Sequence, residues 1–114
     1  MIENMVIAID FDGTITTDNP FPIMGELRHH CKEAINYISK YNEVVLWTCR
    51  TGEYLNEAKD FLHANGIDIS IPAEIRSKLK ADIYIDDRNF PFREIDWFEI
   101  EDYFKNHEYK KKEV

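Results

Sequence analysis

Apolar residues occur along this chain in two alternating patterns, one typical of strands and one typical of helices. A continuous apolar run of strand length covers residues 5–9 (MVIAI), as expected of a central strand that is covered on both faces. Residues 43–47 (EVVLW) are rich in β-branched residues and predict a second buried strand. Residues 67–71 (IDISI) alternate apolar and polar positions and predict a strand at a sheet edge, ended by Pro72. Residues 81–86 (ADIYID) predict a fourth strand.

Apolar positions at helical spacing predict three amphipathic helices between and after these strands. The first covers residues 24–41, the second begins at Thr51 and ends at Gly66, and the third covers residues 96–105. The residues expected to face the core are Leu27, Cys31, Ala34, Ile35 and Ile38 in the first helix, Tyr54, Leu55, Ala58, Phe61 and Leu62 in the second, and Trp97, Ile100, Tyr103 and Phe104 in the third.

Strands that alternate with helices imply a parallel sheet with right-handed crossovers. In such sheets, ligands bind beyond the carboxyl ends of the strands. Polar residues follow three of the predicted strands: Asp10 and Asp12 after the first, Thr48 and Arg50 after the second, and Asp86 and Asp87 after the fourth. Most of the polar residues that could carry out chemistry are therefore expected at one edge of the sheet.

Four carboxylates at one rim repel one another unless some are protonated or a cation lies among them. Mg²⁺ suits this set, because it binds a few carboxylate oxygens, keeps several waters and is often completed by a substrate phosphate. Zinc fits poorly, because no cluster of histidine and cysteine matches its usual ligands. The four histidines are expected to be structural or exposed; they are His29, His30, His63 and His107.

Length and charge limit the range of functions. The 114 residues predict one domain over residues 1–106 and a charged tail over 107–114. The net charge of −8 argues against a nucleic-acid partner held by a broad basic surface. The start of the chain does not resemble a signal peptide and no apolar run is long enough to span a bilayer, so we expect a cytoplasmic protein without a membrane partner, in which Cys31 and Cys49 are reduced.

With a cation present, paired aspartates can hydrolyse a phosphate ester. One carboxylate can attack phosphorus as a nucleophile, and the second can protonate the leaving oxygen and then activate water. Gly13 permits a sharp turn whose backbone N–H groups can bind phosphate oxygens. Thr48 can donate a hydrogen bond to the phosphoryl group, and a lysine can offset its developing charge.

Four segments, in order, resemble the motifs of the haloacid dehalogenase-like (HAD) superfamily of phosphatases and phosphotransferases. They are DFDGT (10–14), VVLWT (44–48), a lysine within SKLKAD (77–82) and IYIDD (83–87). The resemblance implies an α/β fold with a three-layer, Rossmann-like parallel sheet and helices on both faces. It also implies a Mg²⁺-dependent phosphohydrolase that forms an aspartyl phosphate. Many members carry an inserted cap domain, for which this chain has no room.

The resemblance assigns a role to individual residues. Asp10 becomes the nucleophile, Asp12 the general acid and base, and Thr48 the hydroxyl that contacts the phosphoryl group. Lys78 is the expected motif lysine, because KLKAD places it at the first position of the K-P-x-A-D string of the family, and Lys80 is the alternative. The implied metal ligands are Asp10, the backbone carbonyl of Asp12, and Asp86 or Asp87, and the implied phosphate-binding positions are Gly13, Thr14, Cys49, Arg50 and Lys80.

Several points stay open at this level. Arg50 and Arg88 either bind a second anionic group of the substrate or form surface salt bridges. Residues 15–25 predict a stiff flap beside the site, in which Phe21 contacts the substrate or packs on the core. The substrate is a phosphorylated small molecule or a macromolecular phosphoester, and a homo-oligomer would cover the open site.

Three other functional classes compete with this interpretation. A catalytically silent, metal-binding or partner-binding domain of the same fold is the main alternative. A phosphoacceptor signalling domain would carry its aspartate after a later strand and its lysine near the end of the chain. A metal-dependent nuclease would use similar residues, but the DxDGT turn and the net charge disfavour it.

Overall fold

A computed structural model describes residues 1–71, 80–87 and 94–108 of the chain. Within these residues the chain forms three strands and three helices, in the order β1 (Val6–Asp10), α1 (Cys31–Tyr41), β2 (Glu43–Trp47), α2 (Gly52–Ala64), β3 (Ile83–Ile85) and α3 (Trp97–Asn106). The predictions for Pro72, Lys78 and Arg88 fall outside the described residues, as do residues 109–114 of the predicted charged tail.

The strands form a parallel sheet in the order β2-β1-β3, so the fold is a small α/β fold, as predicted. β2 has the predicted bounds, β1 is displaced by one residue, and β3 covers the middle of the predicted fourth strand. Residues 67–71 make only a single parallel bridge, between Ser70 and Val45 at the outer side of β2. Their predicted place at an edge is confirmed, but most of their backbone does not join the sheet.

The core lies between this sheet and the inner faces of the helices. Ile7, Ala8 and Ile9 of the central strand are completely buried, because neighbouring strands cover its edges and side chains cover its faces. The helices contribute Cys31, Ala34, Ile35 and Ile38 from α1, Ala58 and Leu62 from α2, and Trp97 and Phe104 from α3. None of the helices in the described ranges is long and apolar enough to cross a bilayer.

The first helix begins seven residues later than its apolar spacing predicted, at Cys31 rather than residue 24. Leu27 instead pairs with Thr16 in an antiparallel bridge, and the N–H of Thr17 donates to the carbonyl of Glu26 at 2.8 Å. Gly25 lies against the Thr17 backbone so closely that a side chain there would collide with it. Residues 15–28 are therefore a folded-back segment that returns to the end of β1.

Two tyrosines predicted on inner helix faces are exposed instead. Tyr54 is 42% exposed and packs against the ring of Phe21, and Tyr103 is 51% exposed and stacks on His107. A tyrosine satisfies helical spacing but keeps a polar hydroxyl, so it is readily placed at the margin of a core. The prediction for these two side chains was wrong.

Candidate active site

Asp10 and Asp12 lie at the carboxyl end of the central strand, on either side of Phe11. Phe11 is completely buried and packs edge-on against Phe61, with 5.8 Å between the ring centroids. Since successive side chains of an extended chain point to opposite sides, anchoring Phe11 in the core turns both aspartates toward the same surface pocket. The spacing of one residue between the carboxylates follows from this alternation.

The carbonyl of Phe11 organises the turn that follows. It accepts hydrogen bonds from the backbone N–H groups of Thr14, Ile15 and Thr16, at 3.3, 3.0 and 3.3 Å. Ile15 is completely buried, as is Thr16, so the turn is fixed from beneath by packing as well as by hydrogen bonds. The aspartates therefore project from a rigid support.

Gly13 occupies the tightest point of this turn, with φ of +80°. A Cβ placed there would lie 2.5 Å from a carboxylate oxygen of Asp18 and 2.5 Å from one of Asp87. A side chain there would displace these two carboxylates, and the left-handed backbone itself favours glycine. Glycine thus lets two acidic side chains from other parts of the chain approach the turn.

Two side chains outside the predicted motifs clamp the turn through its carbonyl groups. Arg28 donates to the carbonyl of Gly13 from Nη2 at 2.8 Å and to that of Thr16 from Nε at 3.1 Å. The buried Nε1 of Trp97 donates to the carbonyl of Thr14 at 2.9 Å. The sequence carries no signal for these contacts, because Arg28 and Trp97 lie 15 and 83 residues from their respective partners Gly13 and Thr14.

An open pocket of about 510 Å³ brings most of the predicted site together. The predicted residues that line it are Asp10, Asp12, Gly13, Thr48, Cys49, Asp86 and Asp87. Asp18, Asn19 and Phe21 of the folded-back segment and Trp47 of β2 line it as well. The predicted convergence of strand ends on one rim thus holds for these side chains.

Thr14 and Lys80 are placed differently from the other predicted phosphate-binding residues. Thr14 is completely buried, and its hydroxyl donates to Asp10 Oδ2 at 3.3 Å, so it supports Asp10 from inside the protein. This corrects its predicted role as a direct phosphate ligand. Lys80 is exposed, and it is not one of the described residues that line the pocket.

Two aromatic side chains form exposed walls of the pocket. Phe21 is 59% exposed and Trp47 is 40% exposed. Phe21 packs against Tyr54 with 5.2 Å between ring centroids, and Trp47 packs against Tyr84 at 5.3 Å. Of the two interpretations of Phe21, packing in the core is therefore wrong, and a place beside the pocket is confirmed.

Arg50 has a partner that the sequence did not predict. Its side chain is only 1% exposed, and it donates from Nε and Nη2 to the two carboxylate oxygens of Asp12, at 2.8 and 2.7 Å. Hydrogen bonding to Asp12 is the largest cause of a raised pKa of Arg50. Of the two interpretations of Arg50, the salt bridge is observed, but the guanidinium is buried and not at the surface. Contact with a substrate would require this pair to open.

A solved structure of a conserved protein coded by a locus of Bacteroides thetaiotaomicron is similar to this chain. The two sequences are 35% identical, and the match covers 90% of this chain and 91% of that chain with a TM-score of 0.78. The chain belongs to the same family as that conserved protein. The two family members share one α/β architecture over nearly their whole lengths. No protein-family model matches the sequence, and no curated protein matches it either.

Burial in the pocket strongly perturbs the carboxyl group of Asp10. Its pKa is raised from the ordinary 3.8 to about 7, chiefly by burial, and the negative charges of Asp87 and Asp12 act in the same direction. Hydrogen bonds from the Phe11 N–H and the Thr14 hydroxyl act in the opposite direction. Without a cation, a substantial fraction of Asp10 is therefore protonated at neutral pH.

This raised pKa predicts a pH-dependent effect on stability. The folded protein holds the Asp10 proton more tightly than the unfolded chain, so the free energy of unfolding falls as pH rises from about 4 to about 7. Asp10→Asn removes this loss. From pH 5 to pH 8, the free energy of unfolding of the variant should rise by roughly 1–2 kcal/mol relative to that of the native protein. This is less than the full pKa shift implies, because solvent screens a partly buried carboxyl group.

Thermal unfolding in a chelator at the two pH values measures this gain. Asp60→Asn is the matched control, because it makes the same chemical change at an exposed position of α2 and should show no pH-dependent gain. An Asp10→Asn gain that is equal at both pH values would contradict the shifted pKa.

The pocket supplies oxygen donors suited to a hydrated hard cation. Among the described residues, no group of three or more histidine, cysteine, aspartate or glutamate side chains is close enough to hold a metal ion by itself. Mg²⁺ does not need such a cage, because one or two carboxylates, waters and a substrate phosphate complete its coordination. Asp10 and Asp87, whose charges already influence each other, are the residues that could hold it, with Asp86 as a further candidate in the same pocket.

Proposed function

We propose that this protein is a Mg²⁺-dependent phosphomonoester phosphatase that works through an aspartyl phosphate on Asp10. The observation that carries the proposal is the pocket at the carboxyl end of the central strand. There Asp10 and Asp12 lie together with Thr48, Asp86 and Asp87. A nucleophile, a proton donor, a hydroxyl and metal-binding carboxylates in one open pocket form a set suited to phosphoryl transfer.

The detailed fold class is part of the same proposal. We assign a HAD-like, three-layer arrangement without a cap domain. The parallel order β2-β1-β3 supports it, because it places the DxD turn on the central strand, with Thr48 and the acidic pair on its two neighbours. The proposed substrate of this open pocket is a phosphorylated small molecule or a phosphate group of a macromolecule.

Asp10 carries out the first chemical step in this mechanism. One carboxylate oxygen attacks phosphorus, the bond to the ester oxygen breaks, and Asp12 transfers a proton to that leaving oxygen. Because both Asp12 oxygens accept hydrogen bonds from Arg50 in this structure, as an ionised carboxylate does, Asp12 takes up this proton before the step begins. The buried Thr14 hydroxyl and the Phe11 N–H hold the Asp10 carboxylate in a fixed orientation. This support helps to place the attacking oxygen in line with the phosphorus atom.

Asp12 carries out proton transfer in the second step as well. Now ionised, it accepts a proton from water as the water oxygen attacks phosphorus and the bond to Asp10 breaks. Inorganic phosphate leaves and Asp10 is regenerated. One residue can serve both steps because the proton it loses in the first is recovered in the second.

Thr48 and a cation share the charge of the transferring group. The Thr48 oxygen accepts the N–H of Arg50 at 3.1 Å, an arrangement that keeps its hydroxyl proton for donation to a phosphoryl oxygen. When bound, Mg²⁺ would neutralise the repulsion between carboxylates, hold a phosphoryl oxygen and keep Asp10 ionised.

The motif lysine can be assigned by two separate substitutions. Lys78→Ala should lower kcat/KM by roughly 100-fold or more, because an ammonium group that offsets transition-state charge is lost. Lys80→Ala should cost less than about tenfold, since Lys80 is exposed and outside the pocket lining. Phosphate-release kinetics of both variants measure the difference. If neither substitution matters, the lysine motif has been misidentified.

Phosphate release from a broad panel of phosphomonoesters tests the proposed function. We expect release that needs Mg²⁺ and stops in a chelator. No release from any substrate, with Mg²⁺ binding still detectable by calorimetry, would contradict the proposal and favour the catalytically silent domain.

A further inference from the structure

Arg50 is paired with Asp12 and is buried, so it is not a surface residue. It follows Thr48 by two positions at the end of β2. Its buried guanidinium meets the carboxylate of Asp12, a side chain that is 34% exposed, through two short hydrogen bonds. A bidentate salt bridge of this kind fixes the plane and the direction of the carboxylate as well as its distance from the guanidinium.

The same guanidinium also contacts the folded-back segment that borders the pocket. Nη2 donates to the carbonyl of Pro22 at 3.3 Å, and the guanidinium carbon lies 5.2 Å from the ring centroid of Phe21. The Phe11 ring lies 5.4 Å away. Nη1 is buried without a hydrogen-bond partner within the described residues. Arg50 thus joins Asp12 to Phe11 in the core and to Phe21 and Pro22 at the pocket.

We propose that Arg50 is a positioning residue for Asp12, held in place by the Phe21–Pro22 segment, and is not a ligand of the substrate. This inference rests on the proposed phosphatase function. As the ester bond breaks, the leaving oxygen keeps the electron pair of the P–O bond and takes the proton from Asp12. The proton transfer returns Asp12 to its ionised form, which the two hydrogen bonds from Arg50 stabilise and orient in this structure.

This role has a kinetic consequence that general structural support does not share. An alkyl phosphate has a poor leaving oxygen that needs the proton from Asp12, whereas an aryl phosphate has a good one that needs it little. The parameter kcat/KM reports the steps up to loss of the leaving group. Loss of Arg50 should therefore affect alkyl substrates much more than aryl substrates.

The experiment compares Arg50→Lys with the native protein on the best alkyl phosphate of the panel and on para-nitrophenyl phosphate, at saturating Mg²⁺. We expect kcat/KM to fall by roughly 100-fold for the alkyl substrate and by less than about tenfold for the aryl substrate. Arg28→Lys is the matched control. It weakens an arginine that clamps the neighbouring turn, and it should lower both values by one common factor.

A double-substitution cycle separates positioning from substrate binding. If Arg50 acts through Asp12, Arg50→Lys should have little further effect on kcat/KM in an Asp12→Asn background. If Arg50 binds the substrate, the two losses should multiply, which would overturn the inference. Equal losses on alkyl and aryl substrates would also overturn it.

Phe21→Leu provides a second variant if Arg50→Lys does not fold. Phe21 is exposed, so its replacement should leave the fold intact while removing the ring beside the guanidinium. A loss confined mainly to the alkyl substrate supports the inference, and an equal loss on both substrates opposes it. A native protein that is inactive on every substrate would overturn the proposed function and this role with it, whereas an active protein with equal losses overturns this role alone.

Discussion

Asp10→Asn is expected to lose at least about three orders of magnitude in kcat while keeping its fold. An amide oxygen is a poor nucleophile, so no aspartyl phosphate forms. The substitution preserves the shape of the side chain, and the Thr14 hydroxyl can donate to the amide oxygen as it does to the carboxylate. Phosphate release at saturating Mg²⁺ gives kcat, and thermal unfolding verifies the fold.

Asp60→Asn again serves as the control for Asp10→Asn, since it removes one negative charge from an exposed position of α2. It should retain native kcat within a few-fold. Turnover by Asp10→Asn within about tenfold of the native protein would exclude covalent catalysis by this residue.

Asp12→Asn is expected to separate the two chemical steps. It should lower kcat/KM for alkyl phosphates by roughly 100-fold to 10,000-fold, because asparagine cannot donate the proton that the leaving oxygen needs. An aryl phosphate should still phosphorylate Asp10, but water then lacks its general base. We therefore expect a rapid burst of the aryl alcohol followed by slow turnover, which stopped-flow absorbance can record.

The outcome for Asp12→Asn distinguishes proton transfer from support of the fold. A burst with the aryl substrate means that Asp10 reacts normally and that the second step is impaired. Equal losses on both substrate types without a burst would mean that Asp12 acts only as the partner of Arg50 and takes no part in proton transfer.

The positions of β1, β2 and β3 could be predicted from the sequence because they depend on short-range pattern. β2 is an uninterrupted apolar run after one glutamate, and its predicted bounds are those observed. The start of α1 could not be predicted in this way. Leu27 has helical spacing from Cys31, but a backbone contact between Gly25 and Thr17 and a bridge to Thr16 determine its position.

The candidate site was predictable to the extent that it depends on strand ends. Asp10, Asp12 and Thr48 reach one pocket because parallel strands end at the same edge and side chains alternate along them. The contact between Arg50 and Asp12 joins residues 38 positions apart, and no local pattern specifies it. Burial of Thr14 depends on packing of the turn against the core, which residue types alone do not determine.

Trapping the phosphorylated enzyme is the most direct test of the proposed mechanism. Asp12→Asn is mixed with para-nitrophenyl phosphate and Mg²⁺ and quenched in acid during the burst, and its peptides are examined by mass spectrometry. The mechanism predicts one phosphoryl group, released by hydroxylamine, on the peptide that contains Asp10, and none in a variant that also carries Asp10→Asn. Release of the aryl alcohol without any phosphoryl group on Asp10 would contradict an aspartyl-phosphate mechanism.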